Sequence, residues 1–138
     1  AYTVDPDVSF SIEGTLADDL PKPEDASDTS PTTELGHGPA ITVMDRSYIT
    51  PPRLLRHVLR TAEDHEIPYQ LKQPGISGTE AGGTHGVRSG IPAITLAVPC
   101  RYIHSPISLI DPDDVIATQR LINASLRALT PATLKISP

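Results

Sequence analysis

One nearly continuous apolar run in the sequence reads Ile91-Pro92-Ala93-Ile94-Thr95-Leu96-Ala97-Val98. The run has the length of a strand, and it lacks the polar alternation of a strand that faces water on one side. Such a pattern is typical of a strand buried on both faces of a sheet. The run therefore predicts a central strand in an α/β fold, with further elements covering both faces of the sheet.

Strand patterns also occur in three places before this run. Residues 8–12 alternate apolar and polar side chains and end at Glu13-Gly14-Thr15. A short apolar run covers residues 40–44, and another strand pattern begins at Tyr69. Together with residues 91–98, these segments predict a sheet of four strands.

Helix patterns lie between and after the strands. One helix is predicted to begin near Thr50, a candidate N-cap, and to extend to His65 with its apolar residues on one face. A short helix is predicted near residues 84–88, after a glycine-rich loop. The last helix is predicted from Asp111, as N-cap, to about residue 128. Its buried face is expected to contain four residues, namely Val115, Ile122, Leu126 and Leu129.

Residues 18–35 form an acidic stretch that is rich in proline, serine and threonine. This composition disfavours helices and strands, so the stretch is predicted to be a long exposed loop, disordered in part.

Composition excludes several classes of protein. The 138 residues suffice for one domain, and no apolar run approaches the ~18 residues that span a bilayer. A formal charge of −6 argues against nucleic acid as a partner. The single cysteine, Cys100, excludes an intramolecular disulfide and a Cys-rich zinc module. A reducing, cytoplasmic location is expected.

Polar residues follow each of the four predicted strands. They are Glu13, then Asp45 and Arg46, then the loop Gly78-Thr79-Glu80, and last the run 101–104, which ends at His104. In open α/β sheets, functional sites form beyond the carboxyl ends of the strands. This arrangement predicts that the four groups meet in one cleft.

Ordinary structural explanations exist for the same residues. Glu13 could be a solvated carboxylate, Asp45 and Arg46 a local ion pair, and His104 an exposed loop residue. The glycine loop lacks the lysine of a P-loop, and no local pair of histidines or cysteines offers two metal ligands. Ser105 or Cys100 could be a nucleophile, although a buried thiol is the usual state of such a cysteine. Pattern and spacing alone leave the function open.

Four motifs resemble one family of enzymes. They are the segments Ala40-Ile41-Thr42-Val43-Met44-Asp45-Arg46-Ser47, Glu66-Ile67-Pro68-Tyr69-Gln70, Gly78-Thr79-Glu80-Ala81-Gly82 and Pro99-Cys100-Arg101-Tyr102-Ile103-His104-Ser105. In this order they are similar to the dinuclear metallo-aminopeptidases of the tetrahedral (TET) type, and the resemblance covers the chain from Val8 onward. It implies a zinc-exopeptidase fold with three layers, in which a mixed sheet lies between helices. It also implies two divalent metal ions, zinc or cobalt, peptide substrates, and a homo-oligomer that is a dodecamer built from dimers.

The resemblance also implies roles for individual residues. Glu13 maps to a terminal ligand of one metal ion, and His104 maps to a terminal ligand of the other. Carboxylate and imidazole both suit Zn²⁺ or Co²⁺. Five residues are expected to line the substrate cleft: Asp45, Arg46, Thr79, Glu80 and Arg101.

Other parts of the family's site are missing from this sequence. The family supplies a His-x-Asp motif and an adjacent Glu-Glu pair whose first member is the general base, and neither pattern occurs here. Residues 1–138 are therefore expected to be the carboxyl-terminal portion of the catalytic domain of a protein of about 350 residues, a size well above one domain. The isolated chain is expected to be inactive, because each metal ion would have one ligand from it.

Two alternatives to the aminopeptidase remain from the sequence. The chain could be a non-catalytic remnant of the fold that acts as an assembly or binding module. Glu13 and Glu80 could also form the carboxylate pair of a glycoside hydrolase, although His104 would then have no role.

Overall fold

The computed structural model describes residues 1–75 and 77–134. Its order of elements is β1 (Ser9–Leu16), β2 (Ala40–Thr42), α1 (Pro52–Asp64), β3 (Gln70–Lys72), α2 (Glu80–His85), β4 (Ala93–Cys100), α3 (Pro112–Ala128) and α4 (Pro131–Leu134). The strands form one sheet in the order β1-β4-β2-β3. The apolar run of the sequence thus becomes β4, an interior strand that is buried along nearly its whole length, as predicted.

The sheet is mixed. Strand β1 runs parallel to β4 over eight residue pairs, from Ser9 with Ala93 to Leu16 with Cys100. Strand β2 runs antiparallel to β4 and parallel to β3. The carboxyl ends of β2 and β3 therefore point away from those of β1 and β4.

Side chains of β4 alternate between the two faces of the sheet, as the pleat requires. Ile94 and Leu96 pack into the larger core with residues of α1 and α3, such as Val58 and Leu121. On the other face, Ala93 packs with Tyr48 and with Ala81 of α2. The sheet thus lies between two helical layers, which confirms the three-layer α/β class.

The structure shifts two of the predicted helix starts. Helix α1 begins at Pro52 with Pro51 at the N-cap position, and the Thr50 hydroxyl donates to the carbonyl of Thr42 at 2.6 Å, so Thr50 is not the cap. Helix α2 begins at Glu80, four residues earlier than the predicted start.

The buried face of α3 differs from the prediction. Asp111 caps the helix as expected, since its carboxylate accepts the N–H of Asp113 at 2.9 Å. Val115 and Leu126, however, are 40% and 47% exposed. The buried residues are Asp114, Ala117, Thr118, Leu121, Ile122 and Ser125. An apolar pattern does not reveal this face, because one of its buried residues is charged. The carboxylate of Asp114 accepts the backbone N–H groups of Gly36 and Gly38 at 2.8 and 2.7 Å.

The segment between β1 and β2 contains no helix or strand, as predicted, but its two ends are anchored. The Asp18 carboxylate accepts the N–H of Thr32, and the Asp19 carboxylate accepts the N–H of Leu35 at 2.9 Å. Thr33 is buried, and its hydroxyl donates to the carbonyl of Leu16 at 2.7 Å. Only the middle of the segment is broadly exposed.

Within the described part of the chain, none of the helices combines the length and the apolar character that crossing a bilayer requires.

Candidate functional site

Asp45 lies at the centre of a buried hydrogen-bond network just after β2. Its Oδ1 accepts the N–H and the hydroxyl of Ser47, both at 2.7 Å, and the N–H of Tyr48 at 3.2 Å. Its Oδ2 accepts the hydroxyl of Thr79 at 2.8 Å. Burial opposes ionisation of Asp45, but these hydrogen bonds outweigh it and hold the pKa of the carboxyl below its ordinary value. Asp45 is therefore an anion with a fixed orientation.

The network continues to β4. Thr79 Oγ1 lies 3.0 Å from Thr95 Oγ1, and the hydroxyl of Tyr48 donates to Thr95 Oγ1 at 3.1 Å. The N–H of Thr95 donates in turn to the Tyr48 hydroxyl oxygen at 2.9 Å. Thr79 is thereby fixed against the central strand.

Two glycines of the Gly78-Thr79-Glu80-Ala81-Gly82 motif make room for Ser47. A Cβ on Gly82 would lie 2.1 Å from Ser47 Oγ, and a Cβ on Gly78 would lie 3.2 Å from the same atom. The motif therefore has a packing explanation: it lets the loop close over Ser47, which is itself bound to Asp45.

Glu13 lies within β1, three residues before the strand ends, whereas the sequence placed it after the strand. Its Oε1 accepts the N–H of Glu80, the first residue of α2, at 2.7 Å. The alternating pattern predicted that the strand ends at residue 12, but the pairing of β1 with β4 extends through Gly14 to Leu16.

His104 lies at the tip of a turn after β4. Arg101 and Leu109 pair through two backbone hydrogen bonds and close the turn at its base. Tyr102 and His104 both have left-handed backbone conformations, with φ of 60° and 64°. The Ser105 hydroxyl oxygen lies 2.6 Å from the carbonyl oxygens of both Tyr102 and Ile107, and its single proton donates to one of them at a time, so it stabilises the turn.

Arg101 forms an ion pair with Asp19, with Nε 2.6 Å from Oδ1. The hydrogen bond from Arg101 is the main reason that the pKa of Asp19 lies below its ordinary value, and the same bond raises the pKa of Arg101. The pair joins the turn of His104 to the segment that follows β1.

A cleft of about 430 Å³ lies beside these groups. Glu13, Thr79 and His104 line it, so the structure brings together residues from β1, the glycine loop and the turn after β4. Asp45, Arg46, Glu80 and Arg101 are not among the lining residues. Arg46 is exposed, and its N–H donates to the carbonyl of Ser77. Glu80 contributes its backbone N–H to Glu13, while its side chain is exposed.

Lys72, the last residue of β3, lines the same cleft although it is buried. Nothing in the sequence pattern pointed to Lys72, because a strand of three residues is too short to show which of its side chains turn inward. Its cationic side chain adds a positive group to a cleft that also contains a carboxylate.

The sequence predicted a cleft where the carboxyl ends of all four strands meet, and this prediction is wrong. Because β2 and β4 are antiparallel, the carboxyl ends of all four strands cannot meet at one edge. Thr79 lies beside Glu13 because the loop before α2 folds over the face of the sheet that α2 covers, where the Glu80 N–H donates to the Glu13 carboxylate.

The cleft contains the types of ligand atom that bind divalent cations. A carboxylate and an imidazole are ligands for zinc and cobalt, and Glu13 has a second oxygen besides the one that accepts from Glu80. Within residues 1–75 and 77–134, however, no three His, Cys, Asp or Glu side chains are grouped closely enough to hold a metal ion. The described residues thus offer part of a ligand set.

Comparison with known proteins agrees with this geometry. A family model described as M42 glutamyl aminopeptidase matches residues 1–121. Lysyl aminopeptidase from Pyrococcus furiosus is 34% identical over 132 residues, which cover 95% of this chain and 36% of the relative. Aminopeptidase APDkam598 from the archaeon Desulfurococcus kamchatkensis superposes with a TM-score of 0.89 at 32% identity, over 97% of this chain and 38% of that one.

A more distant structure is the Pyrococcus horikoshii TET1 peptidase, which can assemble into a tetrahedron or a large octahedral shell. It superposes with a TM-score of 0.61 at 26% identity, over 84% of this chain and 32% of that one. The chain spans about a third of the length of the relatives it matches. The match of the family model over most of the sequence leads to one conclusion: the chain belongs to the M42 glutamyl aminopeptidase family.

Proposed function

We propose that this chain supplies part of the active site of a metal-dependent aminopeptidase, which removes amino-terminal residues from peptides. Glu13 is the terminal ligand of one of two divalent ions, zinc or cobalt, and His104 is the terminal ligand of the other. The observation that supports this function best is that both side chains line one cleft, although 90 residues of sequence lie between them.

Divalent ions bound in such a cleft polarise a peptide carbonyl and lower the pKa of a water molecule. The chain's own residues orient the ligands for this chemistry. The Glu80 N–H fixes one carboxylate oxygen of Glu13, and the closed turn between Arg101 and Leu109 presents His104 to the cleft. Lys72 offers a cation to a bound peptide, and Thr79 lines the cleft beside Glu13.

The remaining ligands and the general base come, in this proposal, from outside the described residues. Residues 1–138 then correspond to the carboxyl-terminal portion of the catalytic domain, and the complete cytoplasmic enzyme is a homo-oligomer. The assembly of the TET1 peptidase supports the oligomer, and the names of the relatives support a peptide substrate. The chain by itself is expected to lack peptidase activity.

The proposal is tested by metal content and mass together. We expect particles that contain about two zinc or cobalt ions per site to contain polypeptide beyond these 138 residues, detected as additional mass under denaturing conditions. In such particles, Glu13→Ala and His104→Ala should each remove about one ion per site, as measured by elemental mass spectrometry. Each should also lower hydrolysis of an aminoacyl p-nitroanilide by at least about 100-fold, since loss of a group that only hydrogen-bonds to a metal ligand already costs about 10- to 100-fold.

Glu24→Ala and His65→Ala are matched controls, because both side chains are exposed and neither lines the cleft. Full metal content in both site variants would overturn the assignment of the ligands. The alternative function, a non-catalytic assembly or binding module, is favoured by the lack of a three-ligand group among the described residues. It predicts a stable particle of this chain alone, without bound metal and without activity.

A further inference from the structure

We propose that Asp45 and Thr79 are positioning residues that hold the carboxylate of Glu13 in place. They act through the backbone N–H of Glu80. The role of Glu13 as a metal ligand rests on the proposed function, whereas the positioning itself concerns contacts within this chain.

The first step is the orientation of the Thr79 hydroxyl. An ionised aspartate accepts hydrogen bonds and donates none, so the single hydroxyl proton of Thr79 points to Asp45 Oδ2. Thr95 must then donate to Thr79, and Tyr48 donates to Thr95. All three hydroxyl protons therefore point in one direction, toward Asp45.

The second step joins Thr79 to Glu13. Thr79 occupies the N-cap position of α2 with an extended backbone, yet its side chain makes no hydrogen bond to that helix. Its hydroxyl is directed inward to Asp45 instead. Glu80 follows Thr79 directly, so fixing Thr79 sets the direction of the Glu80 N–H, which an N-cap side chain does not reach and which donates to Glu13, 67 residues away in the sequence.

The third step is the clamp around Ser47. Ser47 is bound to Asp45 through both its N–H and its hydroxyl, and it packs between Gly78 and Gly82. The loop that contains Thr79 is thus fixed from two sides by the same carboxylate. A substitution at Asp45 should therefore loosen the hydrogen bond that holds the Glu13 carboxylate, although the two carboxylates need not touch.

We call the connection from Asp45 through Thr79 and the Glu80 N–H to Glu13 the relay. It is tested by hydrogen exchange of backbone amides, followed by NMR in the metal-free chain. Thr79→Val keeps the shape of the side chain and removes the hydroxyl, and Asp45→Asn removes the anion. Both should accelerate exchange of the Glu80 N–H by about tenfold, while the amides of β4 retain their protection. Glu13→Ala removes the acceptor itself and should accelerate Glu80 to the same extent.

Two further variants separate positioning from general stability. Thr79→Ser restores a hydroxyl and should return Glu80 exchange to the wild-type rate. Thr61→Val makes the same chemical change at a buried threonine of α1, whose hydroxyl bonds to the carbonyl of His57, and should leave Glu80 unaffected. Unchanged exchange of Glu80 in both Thr79→Val and Asp45→Asn, with the fold intact, would refute the relay.

A second measurement separates this inference from the proposed function. In the metal-loaded particle, Thr79→Val should weaken Zn²⁺ binding by about 10- to 100-fold, measured by competition with a chelating dye, and Thr79→Ser should restore it. Accelerated exchange of Glu80 with unchanged Zn²⁺ affinity would support the relay and refute Glu13 as a ligand. Weakened Zn²⁺ binding with unchanged exchange would refute the relay and leave the ligand assignment standing.

Discussion

At the scale of single residues, the tightest constraint on the site is the space that Gly82 leaves for Ser47. Gly82→Ala would place a methyl group 2.1 Å from Ser47 Oγ, so either the loop or Ser47 must move. We expect a loss of about 1–3 kcal/mol in the free energy of unfolding, the usual cost of overpacking. Urea denaturation followed by circular dichroism measures this loss.

The adjacent glycine provides the matched control. Gly83 lies in the same helix, and a Cβ added there meets no atom within 4 Å. Gly83→Ala should therefore raise the free energy of unfolding by about 0.5–1 kcal/mol, because alanine favours a helix over glycine. Equal effects of the two substitutions would show that helix propensity, and not the contact with Ser47, determines the stability at these positions.

At the scale of elements, the Asp19–Arg101 ion pair joins the segment after β1 to the turn that presents His104. The pKa of Asp19 is lowered in the folded chain, so the pair stabilises the fold above the ordinary pKa of 3.8 and loses this effect as the pH falls through the folded value. The side chains of Arg101 and Asp19 are only 26% and 10% exposed, so screening by water is partial. Asp19→Asn should cost about 1 kcal/mol near pH 7.

The pH dependence distinguishes this pair from an uncharged contact. The difference in unfolding free energy between the wild type and Asp19→Asn should stay constant down to about pH 5 and then shrink toward zero at lower pH. Chemical denaturation at a series of pH values provides the curve, and Asp25→Asn, in the exposed part of the same segment, is the control. A difference that persists undiminished at pH 2 would contradict the role of the charge.

Elements whose side chains follow one period were predictable from the sequence. The apolar run of β4 and the face of α1 depend on local repetition, and both are confirmed. The face of α3 was not predictable, because the buried Asp114 contacts Gly36 and Gly38, more than 70 residues earlier in the chain. Polar burial of this kind leaves no apolar pattern to detect.

In the candidate site too, local motifs were predictable from the sequence and contacts between distant residues were not. The motifs around Asp45, Thr79 and His104 were found in the sequence because each is a compact local run. The hydrogen bond between Glu13 and Glu80 was not foreseen, since it joins residues 67 positions apart through a loop that crosses the face of the sheet. Short strands such as β2 contain three residues, which is too few for the sequence to indicate whether they pair parallel or antiparallel.

At the scale of the whole molecule, the β1 edge of the sheet is unpaired among the described residues. Strand β1 pairs with β4 on one edge, and among the described residues no strand pairs with its other edge. Ile12 of β1 is 62% exposed beside Val115 of α3. A long edge strand with an exposed apolar residue favours pairing with a second chain.

We therefore expect the isolated chain to self-associate through the free edge of β1, in proportion to its concentration. Ile12→Lys places a charge on that edge and should shift the chain toward the monomer, because a charged side chain opposes pairing between edges. Ile107→Lys is the matched control: Ile107 is 81% exposed but lies in the turn after β4, away from the edge. Sedimentation velocity over a range of concentrations measures both variants. If Ile107→Lys disperses the chain and Ile12→Lys does not, the contact belongs to the turn beside His104, and the edge of β1 is not the surface that associates.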